Sequence, residues 1–177
     1  VCSNTWDEAL CACEEGLLEI ETFDNGNTDN LVLENSSELV GWQLLETDKA
    51  HTGTSALYYG NPAALNYDTP DEANSGSATL QNIVIPAAPA SVLSFQVWPV
   101  IEESSLYDTF TLTVISEDGD ETMIWEKGTF VSGDWNTVSV DMSPWISSTV
   151  AIRFDFDTID SAGNGSEGIY IDSISLE

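Results

Sequence analysis

The stretch Thr109-Phe110-Thr111-Leu112-Thr113-Val114 decides the fold. In an extended chain Phe110, Leu112 and Val114 fall on one side and the three threonines on the other. That period of two belongs to a strand with one buried face. The same reading spreads outward from it. Val92 to Val97 alternates, as does Val150-Ala151-Ile152-Arg153-Phe154-Asp155-Phe156. Asn136 to Asp141 turns Val138 and Val140 inward, and Gly168 to Leu176 carries Ile169, Ile171, Ile174 and Leu176. Met123 to Trp125 returns after Ser116-Glu117-Asp118-Gly119-Asp120, where Asp118-Gly119 marks a hairpin turn. Earlier, Leu17 to Glu21, Ser55 to Tyr59 and Ala78 to Ile85 read as strands, the last stopped by Pro86. Ala87-Ala88-Pro89-Ala90 is a stiff link. No run of ten residues carries a helical stripe.

Eight or more strands joined by Gly, Asn, Asp and Ser turns predict an all-β chain, a two-sheet antiparallel β-sandwich of the jelly-roll kind. Residues 1–20 read as a Cys-bearing N-terminal extension, with a turn or two of helix over 7–15, and residues 21–177 as the sandwich. The run from Asn61 to Ser77, rich in Asn, Asp, Pro and Gly, reads as one functional or metal-bound loop.

Charge narrows the partners. The 177 residues hold 31 Asp plus Glu against three basic side chains, Lys49, Lys127 and Arg153, for a formal net charge of -28. Hydrophobic residues make up 42%, enough to form a core, so disorder is not expected despite the charge. Nucleic acid is excluded as a partner, because displacing counterions from phosphates takes Lys and Arg. Anionic membrane surfaces are disfavoured for the same reason, and no apolar run reaches the roughly 18 residues that a spanning helix needs. So acidic a chain repels itself in dilute salt and suits a medium rich in salt or divalent cations.

Cys2, Cys11 and Cys13 sit together with no partner downstream. A Cys11–Cys13 bridge is strained, which leaves Cys2 with either of the others. The odd thiol stays free or joins another chain. A zinc site would lack a fourth ligand close by, so a disulfide in an extracellular setting is the reading. Asn35-Ser36-Ser37 and Asn164-Gly165-Ser166 are glycosylation sequons.

Several segments, taken in order, resemble a known module: Phe23-Asp24, Gly41-Trp42, His51-Thr52-Gly53-Thr54-Ser55, Leu93-Ser94-Phe95, Tyr107-Asp108, Trp135, Val140-Asp141-Met142-Ser143, Ile152-Arg153-Phe154 and Gly168-Ile169-Tyr170-Ile171-Asp172-Ser173-Ile174. The set resembles the MAM-like jelly-roll domains that accompany secreted immune-inhibitor-A-type metalloproteases. It is also similar to calcium-binding carbohydrate-binding-module sandwiches. The resemblance implies Ca2+ near the chain ends, held by Glu21 or Asp24, by the backbone of His51 to Gly53, and by Asp172. The chemistry agrees: calcium takes six to eight hard oxygen ligands, and a carboxylate among the apolar residues of the last strand is costly unless it is paired.

A second acidic group, Asp155, Asp157, Asp160, Asn164 and Glu167, reads first as a solvated acidic loop, with Asp157, Asp160 and Asn164 as metal-ligand candidates in the competing reading. Tyr107-Asp108 with Glu102-Glu103 is a third. Catalysis has little to work with. His51 is the only histidine, HExxH is missing, and no Gly-rich phosphate loop follows a strand.

Two functions follow. The first is a structural or adhesive surface protein that assembles with copies of itself, through the odd cysteine or by strand addition at a sheet edge. The alternative is an extracellular carbohydrate-binding module for glycans, for which Trp98, Trp125, Trp135 and Trp145 with Tyr58, Tyr59 and Tyr67 supply aromatic candidates; most read as core, and Trp145 after Ser143-Pro144 and Tyr67 in the long loop are the ones expected to be exposed.

Overall fold

A computed structural model describes residues 18–24, 29–87, 91–104 and 106–177. Cys2, Cys11 and Cys13, with the short helix expected over 7–15, lie outside the described residues. The described residues form eleven strands: β1 (Leu18–Glu21), β2 (Leu31–Asn35), β3 (Gly41–Glu46), β4 (Ser55–Gly60), β5 (Ser75–Val84), β6 (Val92–Val100), β7 (Thr109–Ser116), β8 (Glu121–Glu126), β9 (Asn136–Asp141), β10 (Thr149–Asp157) and β11 (Gly168–Leu176). A 3-10 turn spans Ser143–Trp145. The described pairings are antiparallel and form two sheets. One runs β3-β4-β11-β6-β9, with β1 also on β11; the other runs β2-β5-β10-β7-β8. This is the predicted sandwich, and β1 begins three residues before the boundary drawn from the sequence.

Alternation explains the core. Phe110, Leu112 and Val114 of β7, Ile152, Phe154 and Phe156 of β10, and Leu93, Phe95 and Val97 of β6 are all buried between the sheets. An aromatic edge joins the two layers where Phe95 of β6 meets Phe154 of β10 with centroids 5.2 Å apart, and within one sheet Trp42 meets its register partner Tyr59 at 5.2 Å. Such edge-to-face contacts add to simple burial. Trp42 also crosses the sandwich, its indole N–H donating to the Gly76 carbonyl of β5 at 3.1 Å.

The step from β2 in one sheet to β3 in the other is held by Asn35. Its Oδ1 accepts the Trp42 N–H at 2.7 Å and its Nδ2 donates to the Trp42 carbonyl at 3.2 Å. The side chain lies between Gly41 and Gly76, and a Cβ on either would fall 2.2 Å and 2.4 Å from its atoms. Both positions therefore need glycine.

The Asn61–Ser77 region is exposed along most of its length and is anchored by the buried Tyr67, Thr69 and Asn74. Asn74 anchors it, accepting the Tyr59 hydroxyl at 2.6 Å and donating to the Tyr67 carbonyl at 2.9 Å.

Candidate functional site

The last strand contains an irregularity that builds one site. Ile171 and Ile174 both face the core, although three positions apart they would fall on opposite sides of a regular strand. A bulge resolves the conflict: the register against β6 shifts between Asp172 and Ser175, and Ser173 has φ 51°. Bulges commonly re-aim a side chain, and here that side chain is Asp172. One edge of β11 is shared by two strands, with Leu57 of β4 opposite Ile171 and Glu21 of β1 opposite Ile174. Asp172 fills the junction between them.

Asp172 is completely buried. Its Oδ2 accepts the main-chain N–H groups of His51 at 2.8 Å and Thr52 at 2.9 Å, and its Oδ1 accepts that of Ser173 at 2.6 Å. Burial pushes its carboxyl up. The three N–H groups pull it back, and the charge of Asp24 adds to the rise. Asp24 grips the other end of the same turn, accepting Thr54 N–H at 2.6 Å and Ser55 N–H at 3.1 Å, with its carboxylate where a Gly53 Cβ would sit. Glu21 accepts Phe23 N–H at 2.6 Å. The structure thus brings Asp24, the 51–55 turn and Asp172 together, with Glu21 on the adjoining strand end. The carboxylates are occupied as backbone caps. Among the described residues, no three His, Cys, Asp or Glu side chains gather closely enough to hold a metal between them.

The members of the second acidic group take several different partners. Asp155 turns to Arg153. Asp157 caps Ile159 N–H at 2.7 Å. Glu167, just before β11, pairs with Lys49 of the β3–β4 connection. Only Asp160 and Asn164 stay together, Asn164 Nδ2 donating to the Asp160 carbonyl at 3.0 Å. Asn164 is buried with its amide nitrogen engaged, so the sequon there offers no attachment point in the folded chain.

The outer face of the six-stranded sheet gathers some of the candidate aromatics with Tyr170, Lys49 and Glu167, a grouping that no one stretch of sequence shows. Tyr58 of β4 and Tyr170 of β11 stack at 4.6 Å as register partners, and Trp98 of β6 is the next partner of Tyr170. Both tyrosine hydroxyls donate to Glu167, Tyr58 to its carbonyl at 2.6 Å and Tyr170 to its carboxylate at 2.9 Å. Lys49 bridges the site, its ammonium on Glu167 and 5.7 Å and 5.6 Å from the Trp98 and Tyr170 ring centres. Trp135 stands edge-on to Trp98 at 5.9 Å, and His51 edge-on to Trp135 at 5.3 Å. The two tyrosines are buried floor; Trp98 and Trp135 are half-buried rims. Beyond them Gln96 donates to Thr137 at 3.1 Å, and Ser94 meets Ser139 at 3.0 Å. Trp98 Nε1 has no hydrogen-bond partner among the described residues. The available signal was Trp98, Tyr58 and Tyr170 alternating against core residues, but three separate strands had to be registered before they met.

The aromatics expected to be exposed are placed differently. Tyr67 is fully buried, its hydroxyl donating to Asp108 Oδ2 at 2.5 Å, so it presents no ring face to a ligand. The long loop folds inward because Tyr67 and Asn74 carry it there. Trp145 is half-buried against the main core. His51 Nδ1 lies 3.0 Å from Ser173 Oγ. A Ser–His pair needs an acid to orient the ring, and the neighbouring Asp172 serves the main chain instead.

No family model matches the sequence, and no curated protein matches it. The fold has solved counterparts. A structure reported for the promiscuous specificity of carbohydrate-binding modules from the β-sandwich superfamily aligns with TM-score 0.58 and 18% identity over 90% of this chain. This chain spans 61% of that one's length. The cleaved adhesin domain of Lys-gingipain from Porphyromonas gingivalis W83 aligns with TM-score 0.58 and 12% identity, covering 92% of this chain and 98% of that one. A xylan-binding domain from Paenibacillus barcinonensis aligns with TM-score 0.55 and 14% identity, covering 92% and 94%. At such identities the likeness is one of fold.

Proposed function

We propose that this chain is a non-catalytic, extracellular carbohydrate-binding module that holds an uncharged glycan on the outer face of the six-stranded sheet. One observation carries the reading: Trp98 and Trp135 stand as half-buried aromatic walls beside the Gln96–Thr137 and Lys49–Glu167 pairs. Sugars are recognised by apolar ring faces next to polar groups that fix hydroxyls. The net charge of -28 argues for neutral polysaccharides over uronate or sulfated ones. Folds named for carbohydrate and xylan binding support this function more than a self-assembling surface protein. Calcium belongs to the same proposal as a structural ion at the β1–β4–β11 junction, where Asp24 and Asp172 hold the two ends of the 51–55 turn and a bound ion would compete with the main-chain N–H groups they accept. A glycan array with neutral plant and microbial polysaccharides tests the binding. A positive signal that Trp98→Ala and Trp135→Ala each weaken at least tenfold, in variants that keep the parent melting temperature, is expected. A flat array, or binding untouched by both variants, overturns the proposal.

A further inference from the structure

At the opposite end of the sandwich the β4–β5, β6–β7 and β10–β11 connections meet, since Thr109 and Ser75 flank Asp157 and Val100 pairs with Gly168. Two buried side chains there each leave one oxygen without a donor among the described residues. Asp108 is wholly buried and Asn164 is 2% exposed, yet Asp108 Oδ1 and Asn164 Oδ1 have no hydrogen-bond partner. The other polar atom of each group is hydrogen-bonded. Asp108 Oδ2 accepts Tyr67 O–H at 2.5 Å and Glu102 N–H at 2.8 Å, while Asn164 Nδ2 donates to the Asp160 carbonyl at 3.0 Å. Neither group can turn to hide its bare oxygen without breaking these bonds. A buried acceptor with no donor costs about 1–3 kcal/mol, so such oxygens call for a donor or a cation.

The surroundings favour a cation. The Glu102 carboxylate lies where a Gly163 Cβ would fall, 2.2 Å from Oε1, which places it next to Asn164. Asp160 is near enough for its charge to act on Asp108. The local positive charge is Lys127, and its ammonium donates to three carbonyls, those of Glu102 at 3.0 Å, Ser104 at 2.9 Å and Tyr107 at 3.0 Å. Three carboxylates against one ammonium leave an excess of two negative charges. The donors are carboxylate and amide oxygens on irregular loops, with no nitrogen or sulfur ligand. That set suits calcium, which accepts variable geometry, better than magnesium or zinc.

We propose that Asp108 Oδ1 and Asn164 Oδ1 are ligands of a calcium ion that ties the β6–β7 and β10–β11 connections together, with Glu102 and Asp160 supplying the balancing charge. This site is separate from the β1–β4–β11 junction and from the aromatic face. A buried water would satisfy the same two oxygens, and the experiment separates the two. Calcium chloride is titrated into the isotope-labelled full chain at physiological salt, followed by amide and side-chain NH2 resonances. The Asn164 side-chain NH2 and the backbone amides of Glu102 and Gly163 should shift together and saturate with a single affinity. Asp108→Asn should weaken that affinity at least tenfold and leave the response around His51 and Asp172 as it was. Asn164→Asp should raise the affinity and widen the gap in melting temperature between calcium and chelator. The proposal is overturned if these resonances stay still or drift without saturating, as diffuse binding to surface acids would make them. It is equally overturned if Asn164→Asp destabilises the chain by the same amount with and without calcium.

Discussion

Asp172, fully buried in the last strand, accepts the main-chain N–H of His51 at 2.8 Å across 121 residues of sequence. That bond and its neighbours from Thr52 and Ser173 fix the turn before β4 to the bulge in β11. Replacing Asp172 by Asn keeps one acceptor but points an NH2 group at a backbone donor. The expected loss is about 1–3 kcal/mol, read as a lower urea midpoint with unchanged slope. With calcium at the junction, the loss is larger in calcium than in chelator.

Acidity should stabilise the metal-free chain. Burial raises the carboxyl groups of Asp108, Asp155 and Asp172. Each folded site therefore binds its proton more readily than the unfolded chain does. The associated stability is fully present below the ordinary aspartate value of about 3.9 and is lost as pH rises through the raised values. In chelator and moderate salt, melting temperature should climb as pH is lowered from neutral towards the ordinary carboxylate range. A melting temperature that instead falls over this interval contradicts the assignment.

The Asn35 clasp makes a steric prediction. Gly41→Ala puts a methyl 2.2 Å from the Asn35 side chain and should destabilise strongly. Truncating the obstacle should relieve it, so the double variant Asn35→Ala, Gly41→Ala should be no less stable than Asn35→Ala alone. Coupling of about 1–3 kcal/mol in a double-mutant cycle is expected for residues in contact.

Lys127 tests how far one side chain organises a loop. Lys127→Met keeps the aliphatic stem but leaves the carbonyls of Glu102, Ser104 and Tyr107 without their donor. A cost of about 3 kcal/mol is expected, or about 6–12 °C for a chain of this size. Hydrogen exchange should quicken in the 101–108 connection and stay slow in β10.

The sandwich was legible because its central strands are half-buried and alternate cleanly, as in β6, β7 and β10. Periodicity does not mark β2 or β3 as a strand. β2 is largely exposed, and β3 places Trp42 and Leu44 towards the core but also Leu45 on the outer face, which blurs a period of two. The break between Ile171 and Ile174 already encoded the bulge, since inward positions three apart need an extra residue. Asp172 stands out in an apolar strand because burying a carboxylate is costly, and the structure meets that cost with three main-chain N–H groups. The pairing of Asp108 with Tyr67, and of Trp98 with Tyr170 and Lys49, arises from strand register and loop packing. Neither leaves a local mark in the sequence.

Every basic side chain in the protein is already spent on the fold: Lys49 on Glu167, Lys127 on three carbonyls, Arg153 on Glu121 and Asp155. Trypsin-like proteases, which cut after Lys and Arg, therefore find only three bonds in 177 residues. The bond after Arg153 lies inside β10, hydrogen-bonded on both sides, and Lys127 is buried. The folded chain offers such enzymes the single bond after Lys49, guarded by the partner of its own ammonium. Scarcity of cations thus doubles as resistance to digestion.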